Sequence, residues 1–331
     1  MGDLFKILAI DGGGIRGIIP ALVLAEIESR TGRSVQSLFD LIAGTSTGGI
    51  LALGLTCPDK SGGPKFSAVD LANLYINSGS KIFAKRRFSR LRSFFSSKYQ
   101  PDALKKILFH YFGQTMISQS LTDILITCYS LNRRGIKNLS SRDAKNNNFD
   151  DISMVSAALA TSAAPTYFPP AQIEGFHFDH YQSFVDGGIF ANNPSALALA
   201  EASRRGISLD RVLLVSIGTG KSGHEIFPIE KKGWGLLQWI QKDPWAVHPP
   251  DTPPILEVIF DASSELADIV SSNLLSSTGQ PQRYYRIQEI LPVNRVSMDD
   301  TSAEYMAYLQ NHANTTIRVS SRNIGQICRQ L

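Results

Sequence analysis

Cysteine is scarce: Cys57, Cys128 and Cys328 are the only ones among 331 residues. Three widely spaced thiols exclude a disulfide framework and fit a reducing compartment. No C-x-x-C pair occurs, so no zinc site is indicated and no metal is expected. No uninterrupted apolar stretch is long enough to span a bilayer. The first apolar run, Leu4 to Ile10, is too short for a signal-peptide core and has no basic region before it. Lys6 stands where a myristoylation signal needs Ser or Thr. Net charge is only +4, too little to imply a nucleic-acid partner. The expectation is a cytoplasmic protein. Its 43% hydrophobic and 19% charged residues suffice for a large core.

What charge there is lies unevenly. Between Lys81 and Lys106 stand nine cations (Lys81, Lys85, Arg86, Arg87, Arg90, Arg92, Lys98, Lys105, Lys106) and one anion, Asp102. Nine minus one is +8, so the rest of the chain carries −4. Such a run is either a solvated loop or a face for peripheral contact with anionic lipid. A second unusual stretch holds Trp234, Leu236, Leu237, Trp239, Ile240 and Trp245. It reads as a helix packed on the core or as a lid over an acyl chain.

Short apolar runs alternate with helical periodicity. Phe5–Ile10, Phe39–Ala43, Ile124–Leu131, Phe184–Val185 and Arg211–Ile217 read as strands. Ile18–Ile27, Ile50–Leu55, Val69–Phe83, Pro101–Phe112, Ile152–Ser162 and Pro194–Arg204 read as helices. Asp251–Leu275 and Ser302–Leu331 add helices, with a last strand over Gln282–Ile290. This order predicts an α/β fold, a three-layer α/β/α arrangement around a mainly parallel central sheet. Ligands bind such sheets beyond the carboxyl ends of the strands. The spacing predicts a core over residues 1–220. Residues 221–331 are read as the rest of the same domain, with an irregular lid-like segment at about 221–254 and closing helices.

Three glycine-rich elements fall where strands end. Gly44-Thr45-Ser46-Thr47-Gly48 is a G-x-S-x-G between a strand and a helix, the context of a nucleophile elbow. Gly48, Gly49 and Ala52 are small enough for the helix to pack close beneath Ser46. Asp11-Gly12-Gly13-Gly14-Ile15-Arg16-Gly17 can turn several N–H groups toward one point, a nest for an anion or oxyanion. Asp186-Gly187-Gly188 places a carboxylate at the end of a third strand. A rival reading takes the glycine loops as phosphate cradles of a kinase or ATPase. Gly218-Thr219-Gly220-Lys221-Ser222 resembles a P-loop, but Val215 replaces its first glycine. A third reading is a catalytically inactive lipid-binding module.

In this order the three elements, with Ala163-Ala164-Pro165-Thr166-Tyr167-Phe168-Pro169-Pro170, resemble the patatin-like phospholipase family from Ile7 to Gly220. The resemblance implies the patatin-like fold, related to but distinct from the α/β-hydrolase fold. It implies a lipid acyl hydrolase of phospholipase A or lysophospholipase type, working through an acyl-enzyme without a cofactor. Ser46 would be the nucleophile and Asp186 the proton acceptor. Gly12, Gly13 and Gly14 would form the oxyanion hole with Arg16 supporting the loop. Gly44, Thr45, Thr47 and Gly48 would shape the elbow, and Gly187 and Gly188 would complete the aspartate motif. The partner would be a phospholipid or another acyl lipid. The headgroup, an activating ligand and the oligomeric state stay open.

Overall fold

The computed structural model describes residues 3–83, 97–174, 181–223, 235, 239–240, 252–292 and 296–331. Its strands are β1 Phe5–Ile10, β2 Leu41–Thr45, β3 Asp123–Ser130, β4 Gly135–Ser140, β5 Ala171–Ile173, β6 Gln182–Asp186, β7 Val212–Ile217 and β9 Tyr284–Ile287. They form one sheet in the order β5-β6-β3-β2-β1-β7-β9, with β4 also paired to β3. Beside it, β8 Lys221–Ser222 pairs with β10 Ile290–Leu291.

Strand alternation sends neighbouring side chains to opposite faces. Leu8 and Ile10 join one buried cluster, while Ile7 and Ala9 join another. The first face is covered chiefly by α1 Ile18–Thr31, α2 Thr47–Thr56, α3 Ala68–Ile82, α4 Pro101–Phe112, α5 Ser141–Asn146 and α6 Met154–Thr161. The single-turn α7 Gly188–Ala191 then leads to α8 Ser195–Arg204, which covers the second face with Ala198, Leu199 and Ala202. The long helix α9 Pro254–Ser276 adds Leu275 there, while α10 Ala303–Val319 and α11 Ser321–Gln330 close the first face. The layers are those expected from the sequence.

Local chemistry sets several boundaries. Ser67 and Asp70 form a reciprocal capping box on α3, satisfying two N–H groups that would otherwise lack partners. Pro101 opens α4 at the one turn where a missing N–H is harmless. Ser153 caps α6 through the Ser156 N–H.

The sheet is mainly parallel, as expected, with an antiparallel edge that the sequence did not specify. Pairs β1–β2, β1–β7, β2–β3 and β7–β9 are parallel, but β3–β4, β3–β6 and β5–β6 are antiparallel. Strands β4 and β5 were not expected. Four of the six residues of β4 are polar or glycine, and β5 has three residues, so neither carries a periodic signal. The antiparallel edge matters for chemistry. β3 is eight residues long and overshoots the end of β2. Running back along that overshoot, β6 ends with Asp186 opposite Cys128, one residue beyond the Thr45–Thr127 register. The carboxylate therefore arrives beside Ser46 from the opposite chain direction.

Candidate active site

Ser46 follows β2 and precedes α2 at φ 54° and ψ −120°. This left-handed backbone strains a non-glycine residue by about 1–3 kcal/mol, so the surroundings must hold it. The Ser46 N–H donates to the Thr161 hydroxyl at 2.8 Å, and the Ile50 N–H donates to the Ser46 carbonyl at 3.0 Å. A Cβ on Gly48 would run into the Ile10 carbonyl oxygen. Glycine there lets α2 sit against the end of β1. Thr45 donates to the Ala191 carbonyl at 2.7 Å and accepts from Thr127 at 2.7 Å. Its hydroxyl thus ties the elbow to the turn that carries Asp186. Thr47 and Tyr75 are linked hydroxyl to hydroxyl at 2.5 Å.

Asp186 is 2% exposed. Its carboxyl accepts the Gly188 N–H at 2.8 Å and shares the wall of one cleft with Ser46. Burial pushes it up from 3.8 to about 7, with the neighbouring Ser46 hydroxyl and the Gly188 N–H opposing the rise. A base of that strength is half ionised near neutral pH, where general-base catalysis is most effective.

The glycine loop is anchored from four sides. The Gly12 N–H donates to the Asn192 carbonyl at 3.0 Å, and Thr219 donates to the Gly12 carbonyl at 2.6 Å. The Ile15 N–H donates to Met298 at 2.8 Å. Asp11 is clasped by Arg286 on β9, Nη1 to Oδ1 at 2.8 Å and Nη2 to Oδ2 at 2.5 Å. Burial pushes the Asp11 carboxyl up against the pull of that guanidinium. The geometry divides the loop's predicted donors. The Gly12 N–H is already engaged, whereas those of Gly13 and Gly14 have no acceptor among the described residues. Gly13 and Gly14 line the cleft beside Ser46, and Arg16 bonds back to the Gly13 carbonyl at 3.4 Å.

That cleft opens to solvent beside the elbow. Ser46, Asp186 and Gly188 lie in its wall, and Ile50, Ile82, Phe83, Leu104, Tyr167 and Phe168 make most of the rest apolar. Such a space suits a hydrocarbon chain. Ser162 also borders it, with a buried hydroxyl that has no partner among the described residues.

The P-loop resemblance at Gly218–Ser222 does not survive as a phosphate cradle. The N–H groups of Gly218, Gly220 and Lys221 donate to Ile287, Gln288 and Glu289. The segment braces the glycine loop instead.

A family model described as patatin-like phospholipase matches residues 8–199. The chain belongs to the patatin-like phospholipase family. "Patatin-like protein 2" of Arabidopsis thaliana is 32% identical to it, over 99% of this chain and 87% of that protein. "Patatin-like protein 4" of the same plant is 30% identical, over 94% and 82%. The potato (Solanum tuberosum) protein named "Probable inactive patatin-3-Kuras 1" is also 30% identical, over 93% and 85%. Among solved structures, that of VipD from Legionella pneumophila gives a TM-score of 0.42 at 11% identity, over 97% of this chain and 67% of that one. This patatin-like family is one of lipid acyl hydrolases, which are serine ester hydrolases.

Several residues around the patatin-like site were not singled out from the sequence. Thr161 is a lone threonine with no motif, and Thr219 stood only in the P-loop-like segment, with no sign of its bond to the Gly12 carbonyl. Phe260 and Met298 reach the cleft from the last third of the chain. Arg286 did leave a signal. A cation inside the apolar strand Tyr284-Tyr285-Arg286-Ile287 needs a buried anion, and Asp11 is that anion. Arg286→Met is expected to cost about 3–5 kcal/mol in urea unfolding, because it leaves Asp11 buried without a counter-charge. Adding Asp11→Asn should recover much of that loss; a double variant no better than the single one would refute the pairing argument.

Other expectations lie partly outside the described residues. Of the basic stretch, Lys85, Arg86, Arg87, Arg90 and Arg92 lie outside them. Lys81, Lys105 and Lys106 are exposed. Lys98 pairs with Asp299 and sits 5.5 and 5.4 Å from the Tyr99 and Tyr167 rings. Of the tryptophan cluster, Trp239 and the exposed Ile240 are described, while Trp234, Leu236, Leu237 and Trp245 lie outside. No helix among the described residues is long and apolar enough to cross a membrane.

Proposed function

We propose that this chain hydrolyses fatty-acyl esters of phospholipids through Ser46 and Asp186, without a histidine. One observation carries the reading. A serine on a strained elbow and a buried carboxylate pushed up to about 7 share the wall of one apolar cleft. Ser46 Oγ attacks the ester carbonyl carbon while its proton passes to Asp186. The carbonyl oxygen gains the negative charge, and the free N–H groups of Gly13 and Gly14 stabilise it. As the ester C–O bond breaks, Asp186 returns the proton to the leaving alcohol. Water then attacks the acyl-serine, giving its proton to Asp186, which passes it to Ser46 Oγ as the acyl C–O bond breaks and the fatty acid leaves. Gly12 shapes the loop, and its N–H holds the loop to Asn192.

The potato relative's name raises the alternative of an inactive lipid binder. Retention here of Ser46, Asp186 and the unpaired Gly13 and Gly14 donors favours catalysis. The test is incubation with a mixed phospholipid extract after treatment with a fluorophosphonate. Free fatty acid should appear in the untreated sample only, and peptide mass mapping should place the label on Ser46. Lipid binding with neither product nor label would establish the inactive reading.

A further inference from the structure

A second cavity adjoins the acyl cleft, and Asn192, Phe260 and Met298 border both. Its character is opposite. Arg16, Lys221, Glu257, Asp261, Glu265 and Asp268 line it. A lipid ester has the same asymmetry about its scissile bond, with hydrocarbon on the acyl side and polar groups on the alcohol side.

The charges in this cavity are not all matched. The four acids lie on α9, and Glu257, Asp261 and Glu265 follow at four-residue spacing, so like charges stack along one face at a cost to the helix. Glu265 pairs with Lys221 at 3.1 Å at the exposed rim. Asp268 accepts from the Tyr284 hydroxyl at 2.5 Å. Arg286, which also borders the cavity, is taken by Asp11. Asp261 has neither a hydrogen bond nor an ion pair among the described residues. Burial pushes its carboxyl up, against the pull of Arg16 and Lys221. Arg16 is 6% exposed and holds two carbonyls at a long 3.4 Å, with no carboxylate in ion-pair reach among the described residues. A carboxylate without a hydrogen bond or ion pair, and a deeply buried guanidinium held only by two long bonds to carbonyls, therefore face the same space among the described residues.

We propose that this cavity receives the alcohol half of the lipid, and that Asp261 makes it selective for a zwitterionic headgroup carrying an ammonium. The assignment rests on the hydrolase reading above. The ammonium would answer Asp261, while the phosphate lies toward Arg16 next to the scissile ester. An anionic headgroup without an amine would leave Asp261 unanswered and add a like charge beside it.

The test compares phosphatidylethanolamine and phosphatidylglycerol with identical chains, each in neutral-detergent micelles. Wild type, Asp261→Asn and Asp261→Lys are assayed, with p-nitrophenyl butyrate as an ester that lacks a headgroup. Wild type should favour phosphatidylethanolamine in kcat/KM by about tenfold or more, the factor one charge-assisted hydrogen bond supplies. Asp261→Asn should bring that ratio toward one, mainly through KM, and Asp261→Lys should reverse it. A wild type indifferent to headgroup, or a ratio that survives both substitutions, overturns the proposal. Turnover of p-nitrophenyl butyrate beside such indifference sinks the headgroup assignment alone. No turnover of any ester sinks the hydrolase reading with it.

Discussion

Ser46→Ala is expected to lower ester hydrolysis by about 10⁴–10⁶-fold, the loss seen when a serine nucleophile is removed from a catalytic unit. The fold should survive. The Ser46 N–H still reaches Thr161, and the carbonyl still receives the Ile50 N–H. Alanine inherits the strain of φ 54°. Ser46→Gly separates strain from chemistry. It should be equally inactive yet more stable than Ser46→Ala by about 1 kcal/mol, because glycine adopts positive φ without a steric penalty. Fatty-acid release and urea unfolding read the two effects independently. An alanine variant that keeps more than about a hundredth of wild-type activity would remove Ser46 from its role, since a true nucleophile costs far more than that.

How much of this site the sequence carried depends on the reach of each interaction. The elbow was legible because its requirements are local. A strand, two glycines, a serine and a helix follow one another within a dozen residues. Asp186 was legible as a motif, but its basicity was not. The rise to about 7 comes from burial, which only the packed structure supplies. The glycine loop was legible as a nest but not donor by donor. Which N–H is free depends on Asn192, Thr219 and Met298, each more than 170 positions away in sequence. The alternation of strands and helices foretold the layered fold. It could not foretell that β6 runs antiparallel, since a run of five residues looks the same in either direction. Arg286 shows an intermediate case, with a detectable local anomaly whose partner lies at the other end of the chain.

Asp186→Asn should also cost at least about 10²-fold in kcat/KM, the minimum for loss of a positioned general base. Asparagine keeps the oxygen that accepts the Gly188 N–H but cannot take the Ser46 proton. In the wild type, kcat/KM should rise with pH through an apparent value near 7, where the carboxyl ionises, and level off above it. The variant should lose that ascending limb. Stability should change in the opposite sense. An unfolded carboxyl titrates near 3.8 and the folded one near 7, so between those values the folded state binds the extra proton. Raising the pH through that window therefore weakens the wild type. Asparagine has no charge to bury, so the variant should match the wild type near pH 3.5 and exceed it at pH 8, by on the order of a few kcal/mol. A residue that merely shaped the turn would not make its replacement both inactive and more stable. The remaining question is whether a histidine shares the work. His110 packs against Tyr111 on α4, and His312 stacks on Tyr308 in α10; neither borders the cleft. His177, His180, His224 and His248 lie outside the described residues. Alanine at each of the six in turn should leave activity within about tenfold of wild type, well short of the loss of a general base. A folded histidine variant as inactive as Asp186→Asn would replace the dyad with a triad. The stability difference at pH 8 would remain, because it belongs to the buried carboxylate whichever group takes the proton.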